Sequence, residues 1–269
     1  MPGPCSDANR TSRAALTEAD AAALSPALLA WWERHGRGGI PWKLLPSGGD
    51  PALEQDLDPY GIWIAEVMLQ QTQLVVVLPY WRRWMAAFPS VAALAAASLE
   101  EVRLQWQGLG YYSRARRLHE AAQLLVDRPW PRTLEGWMAL PGIGRTTAGS
   151  ILSSAFNLPL PILDGNVKRV LARWTAHPRP PARDEALFWS WSEALLDPVR
   201  PRDTNQALMD LGATVCTPRS PSCDRCPWQL HCAAYAAGDP CRWPVTDAPK
   251  PLPFQVIGVG VVLNAAGEV

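Results

Sequence analysis

Leu140–Gly149 reads LPGIGRTTAG. The preceding run LEGWMAL has helical spacing, with Thr133 placed to cap it and Pro141 to end it. Gly142 and Gly144 allow positive φ, so the chain can reverse tightly and enter a second helix at Arg145. The first N–H groups of that second helix are unshielded and lie at the positive end of its dipole. Such an end is suited to an anion, and a nucleic-acid phosphate is a natural guest. Taken alone, the signal is only moderately specific, because many helical hairpins contain glycine. Ala148, Gly149, Ser150, Ser153 and Ser154 are small enough to let two helices approach closely.

Outward from this hairpin, nearly every segment has helical periodicity. Ser25-Pro26 opens one helix, SPALLAWWERHG, and Asp58-Pro59 opens a second, PYGIWIAEVMLQQTQ. Further helices are expected over 74–87, 91–96, 98–106, 113–126, 133–139, 145–156, 165–174, 184–196 and 203–213. Only the final FQVIGVGVVLNAAGEV reads as strand. The fold class is therefore all-α, with a short C-terminal β stub. The 269 residues are 48% hydrophobic and carry no net charge, which excludes a chain-wide basic field but not a local basic face. Fourteen tryptophans are read mostly as core anchors, Trp31, Trp63 and Trp84 among them. No segment has the apolar length of a membrane span, and no membrane partner is expected. The N-terminal MPGPCSDANRTSRAAL lacks an apolar signal region. Residues 1–24 are expected to be disordered and the protein cytoplasmic, close to the nucleoid if the source is bacterial.

In the cytosol, six cysteines should not form structural disulfides, so their spacing matters. Cys216, Cys223, Cys226 and Cys232 follow C-x6-C-x2-C-x5-C. Zinc held by four cysteines usually takes two C-x2-C knuckles, and one is present. The unequal gaps in a Pro-rich loop favour a [4Fe–4S] cluster. Cys5 and Cys241 stand outside the pattern. The spacing resembles the cluster loop of the endonuclease III superfamily of DNA glycosylases, and LPGIGRTTAG resembles the helix-hairpin-helix of that superfamily.

Two carboxylates stand out. Glu66 shares a helical face with Gln70 and Gln73, which fits a solvated stripe. Its neighbours are bulky and apolar, which fits instead a desolvated carboxyl able to hold a proton near neutral pH and act as a general acid. Asp164 precedes GNVKRVLARW. It reads as an N-cap, and the same position favours its negative charge through the helix dipole. One acid and one charge-stabilising carboxylate is a recurrent pairing.

Together with PYGIWIAEVMLQQTQ, GLGYYSRARRL and ILDGNVKRVLAR, these motifs resemble, in order, the adenine DNA glycosylase (MutY) family. The resemblance runs from about Leu28 to Cys232, roughly three quarters of the chain. It implies base flipping in duplex DNA containing A:8-oxoguanine or A:G mispairs, with a monomer acting alone. It implies that Glu66 protonates the adenine and Asp164 stabilises the sugar cation, with Asn166 orienting them. Gln70, Gln71, Thr72, Leu109 and Tyr111 would meet or wedge the duplex. Gly142, Gly144, Arg145, Arg114, Arg117, Lys168 and Arg169 would lie on its phosphates. One of Tyr111 and Tyr112 is expected in the core. The site where bifunctional members carry a Schiff-base lysine is Thr146, so no efficient lyase step is expected.

The expected plan is a disordered 1–24, then an iron–sulfur helical domain from 25–57 and 160–235. A six-helix barrel with the hairpin covers 58–159. A linker and the truncated start of a Nudix-like domain cover 236–269. The intervening KLLPSGGDPALEQDL departs from the family's short link and reads as an exposed loop. Three alternatives remain at this level: an endonuclease III-like pyrimidine glycosylase with lyase activity, a non-catalytic iron–sulfur DNA-binding module, and a zinc-bound helical scaffold.

Overall fold

The structure, a computed structural model, describes residues 16–247 together with 258, 260, 262, 265 and 266. The C-terminal strand lies outside the described residues. Twelve α-helices and five short 3-10 turns make up the regular structure among the described residues. None of these helices is long and apolar enough to cross a membrane.

Helix α1 spans Glu18–His35 and starts earlier than Ser25-Pro26 announces. Thr17 and Asp20 form a capping box, each side chain bonding the other's backbone N–H. Leu24, Leu28 and Trp31, at i, i+4 and i+7, are buried. That stripe holds the first turns in helix although Pro26 removes one internal bond. Residues 18–24 are thus helical, against the expectation of disorder.

Helix α2, Pro59–Leu69, is capped by Asp58, whose side chain accepts from the Tyr60 N–H at 3.0 Å. Every residue from Pro59 to Met68 is buried except Glu66. A helix apolar on all sides belongs at the centre of a core: α2 packs directly on α3 (Leu74–Ala87), α6 (Ser113–Leu125) and α8 (Arg145–Phe156), and shares its core with α4 (Val91–Ala96), α5 (Leu99–Trp106) and α7 (Leu134–Met138). Trp63 packs among Tyr60, Trp130 and Trp137, and Trp84 meets Phe88 and Trp106 edge-on. Helix α2 stops at Leu69, not at Gln73 as the apolar run implied. Gln71 takes φ 59°, and Gln73 becomes the N-cap of α3. Glu66, Gln70 and Gln73 therefore do not form one helical stripe.

A second core unites α1 with α9 (Gly165–Thr175), α10 (Glu185–Ala194), α11 (Pro201–Thr214) and the buried Trp228 of the cysteine loop. The connection after α1 does not follow α1 into this core. Ile40, Trp42 and Leu57 are buried in the first one. Residues 46–50 and 52–56 are exposed. Arg202 pins this loop by donating to the Gln55 carbonyl at 2.9 Å, and Arg132 pairs with Asp56 at 2.8 Å.

The two cores meet along a polar seam between α8 and α11. The Asn205 amide donates to Ser153 Oγ at 2.9 Å and to the Leu160 carbonyl at 2.8 Å. The Gln206 amide donates to Ser154 Oγ at 3.1 Å. Gly149 faces the Pro161 carbonyl, where a Cβ would come within 2.7 Å. The small residues of α8 thus admit a backbone and a hydrogen-bond ladder.

Candidate active site

Glu66 lies on α2, which packs against α8. Burial is the main cause that raises its pKa to about 7. The Ser150 hydroxyl and the Lys43 ammonium pull it back, and the Asp164 carboxylate pushes it further up. The two carboxyls found in the sequence therefore act on each other across the seam between the cores.

Asp164 caps α9. Its Oδ1 accepts from the Val167 N–H at 2.7 Å and its Oδ2 accepts from the Asn166 amide at 3.0 Å. Asn166 Oδ1 in turn accepts from Arg169, which also donates to the carbonyls of Gly212 and Cys216. A Cβ at Gly212 would meet Asn166 at 2.6 Å, so the close crossing of α11 and α9 fixes that amide. Across from it, the Thr146 hydroxyl donates to the Leu163 carbonyl at 3.2 Å, tying the hairpin to the residue before Asp164.

The hairpin itself is as expected from its glycines. Gly142 has φ +83°, and a Cβ there would press on Arg117 at 3.1 Å. Gly144 is the N-cap of α8 with no side-chain cap, leaving the first N–H groups of that helix open. Arg145 is exposed and stacks over Trp189 at 4.0 Å.

Gln71 and Tyr111 stand out from the surface on adjoining turns, both with positive φ, at 59° and 44°. Tyr111 is 65% exposed and Tyr112 46%, so neither of the pair is in the core. Gln70 reaches back to the Thr147 hydroxyl at 3.4 Å, and the Thr72 hydroxyl contacts the Gln70 carbonyl at 3.5 Å.

Two expected DNA contacts are overturned by burial. Leu109 is 6% exposed and packs in the first core. Arg114, 8% exposed, turns inward and donates to the carbonyls of Val67, Met68, Gln70, Leu109 and Gly110. The open carbonyls at the end of α2 attract its guanidinium more strongly than solvent does. Arg114→Ala therefore lowers stability by about 2–4 kcal/mol, since several buried carbonyls lose their donor. Thermal unfolding checks this. The salt dependence of DNA binding stays unchanged in the variant, because Arg114 has no free face for a phosphate. Arg169 is likewise spent on protein partners, and Lys168 is paired with Glu185 at 2.6 Å.

Cys216, Cys223, Cys226 and Cys232 line one small cavity together with Arg173. Burial pushes the Cys226 thiol up to about 12 and raises Cys223 and Cys232 as well. Thiolates at this place need positive charge beside them. Arg173, 2% exposed, supplies it: it donates to Cys216 Sγ at 3.4 Å and to the carbonyls of Thr217, Pro218 and Trp243. The four cysteines thus face one common cavity. This donor set fits an iron–sulfur cluster, held by these four cysteines.

The comparisons agree. Residues 64–193 match the model of the HhH-GPD superfamily of base excision DNA repair proteins, and residues 216–232 match the iron–sulfur binding domain of endonuclease III. Residues 64–193 belong to the HhH-GPD superfamily. The chain is 46% identical over 223 residues to the adenine DNA glycosylase of Mus musculus, covering 81% of this chain and 42% of that protein. It is 44% identical over 222 residues to the adenine DNA glycosylase of Homo sapiens, covering 80% and 40%. The chain thus spans about two fifths of the length of these curated relatives. Among solved structures, a thermostable thymine-DNA glycosylase superposes with a TM-score of 0.70 at 25% identity, covering 81% of this chain and 97% of that one.

Several residues around the site carried no signal in the sequence. Ser150 read as a small packing residue and Arg169 as a surface cation. Lys43 and Asp210 belong to no motif, and Arg173, the last residue of ILDGNVKRVLAR, was given no role. Asp210, fully buried, accepts from Trp32 Nε1 and from the backbone and guanidinium of Arg37. Nothing around Asp210 in the sequence marked it, because Gln206 and Thr214, one turn away on either side, are polar as well.

Proposed function

We propose that this protein is a monofunctional DNA glycosylase that hydrolyses the N-glycosidic bond of adenine mispaired with 8-oxoguanine or guanine in duplex DNA. The observation that carries the reading is the Glu66 carboxyl, raised to about 7 beside the Asp164 carboxylate. Adenine is a poor leaving group until it gains a proton. A carboxyl of this kind still holds its proton near neutral pH and can transfer it to the purine N7 as the bond lengthens. Positive charge then develops on the sugar, and the anchored Asp164 lowers that barrier by its charge. Asn166, fixed by Arg169, keeps the carboxylate oriented. A transient bond from Asp164 to the sugar followed by water attack resembles the two-carboxylate path of glycosidases.

The target base must leave the stack to reach Glu66. Gln71 and Tyr111, raised on strained turns, fill or hold open the gap. Gln70 and Thr72 border it. The open end of α8, with Gly142, Gly144 and Arg145, takes a phosphate. Lys168 is a weaker phosphate contact because Glu185 competes for it. Thr146 spends its hydroxyl on the Leu163 carbonyl and has no amine for a Schiff base. The iron–sulfur cluster, as a [4Fe–4S] cube, holds together a loop with little core of its own. The reading further includes action as a monomer in the cytoplasm.

The test is cleavage of an A:8-oxoguanine duplex with and without alkali. Strand scission only after alkali is expected. Scission without alkali, with borohydride trapping of the enzyme on abasic DNA, shows a lyase instead. Release of a pyrimidine but not of adenine overturns the substrate.

A further inference from the structure

Lys43 ends the short turn Pro41–Lys43, which packs on α2, the helix that carries Glu66. Its terminal nitrogen is fully buried and has no hydrogen-bond partner. A buried ammonium without a partner is costly and calls for an explanation. The nearby acids can be examined one at a time. Asp210 on α11 is taken by Arg37, at 2.7 and 2.6 Å, and by Trp32 at 3.1 Å. Glu33 on α1 and Asp203 on α11 are taken by Arg200, at 2.6 and 2.8 Å. Asp50 is exposed on the loop. Arg202 spends its guanidinium on carbonyls and offers no negative charge. Of the two acids whose charge reaches Lys43, Asp210 and Glu66, Asp210 is already ion-paired to Arg37, which leaves Glu66.

We infer that Lys43 is a positioning residue for the reaction: its unpaired ammonium stands behind the Glu66 carboxyl as the counter-charge that keeps this acid ready to give up its proton. The inference rests on the reading of Glu66 as the general acid. The electrostatics run the same way. Lys43 lowers the pKa of Glu66, while Asp164 raises it. Burial lowers Lys43 to about 8, with Asp210 and Glu66 holding it up and Arg37 adding to the fall. It is therefore charged at neutral pH. A cavity of about 380 Å³ opens on its other side, between α1, the 38–51 segment and α11.

Two measurements test this. The first is the pH profile of single-turnover adenine release for Lys43→Met and Lys43→Arg. Without the positive charge Glu66 holds its proton to higher pH. The alkaline limb of Lys43→Met therefore moves upward, so that at pH 8 it keeps a severalfold larger share of its own maximal rate than wild type does, on the order of threefold. Lys43→Arg restores the wild-type limb. An unmoved limb in Lys43→Met overturns the inference. So does a loss confined to DNA affinity, which makes Lys43 a substrate contact. The second needs no Lys43 variant. The chain has three lysines, Lys43, Lys168 and Lys250, so selective labelling gives three resolvable ammonium signals. In Glu66→Gln the Lys43 midpoint falls, because its negative neighbour is gone; an unchanged midpoint overturns the coupling. If wild type releases no adenine, the function assigned to Glu66 fails, yet the lysine titration still decides whether Lys43 answers to residue 66.

Discussion

Glu66→Gln lowers the single-turnover rate of adenine release by about 10²–10⁴-fold, the range expected when a positioned general acid is removed. Glutamine keeps the shape and volume of the side chain, so DNA binding and the fold persist. It lacks only the acidic proton. The wild-type rate should accordingly hold at pH below about 7 and fall above it, as Glu66 loses the proton that burial helps it keep. The same sign governs stability. A carboxyl whose folded-state pKa lies above its unfolded value favours folding at low pH, and that contribution disappears as pH rises through the folded value. Glu66→Gln is therefore more stable than wild type above neutral pH while being far less active. Rapid-quench kinetics and thermal unfolding across pH 6–9 check both halves. A variant with full activity sinks the assignment.

Asp164→Asn is the complementary case, with an expected loss of about 10²–10³-fold in the rate of base release. Aspartate here does two things at once, capping α9 and presenting a negative charge. Asparagine is as good a cap, so α9 and the Val167 bond survive and the unfolding midpoint moves little. The lost rate then reports the charge alone. A further signature follows from the coupling of the two carboxyls. Asp164 raises the pKa of Glu66, so its neutralisation moves the alkaline limb of the residual activity downward, opposite to the shift in Lys43→Met. If Asp164→Asn loses stability and keeps its rate, the residue is a cap and nothing more.

The parts of this molecule that could be read from residues in order are those whose physics is local. The hairpin is set by Pro141, Gly142 and Gly144, and the start of α2 by Asp58-Pro59. The cysteine spacing speaks for itself in the same way. Glu66 was ambiguous because periodicity fixes a face and not what lies opposite it; the answer depended on α8 and on the second core. The basic residues were misread most. Arg114 and Arg169 have the spacing of a phosphate-binding face, but a guanidinium goes wherever carbonyls are left open. The carbonyls at the end of α2 and around Cys216 come from distant parts of the chain. Lys43 was overlooked because nothing beside it in the sequence marks it as buried. The start of α1 was placed late because Ser25-Pro26 is a strong local signal, whereas the stripe Leu24–Leu28–Trp31 gains its value only against α9 and α11.

The seam of serine, asparagine and glutamine between α8 and α11 bears on how fast the enzyme could act. Two greasy surfaces can slide past one another by a notch at small cost, whereas interlocked donors and acceptors tolerate a single alignment. The acid belongs to one lobe and the carboxylate to the other. On the reading proposed above, their separation is then fixed within the folded chain, and DNA association need not supply the energy of bringing them together.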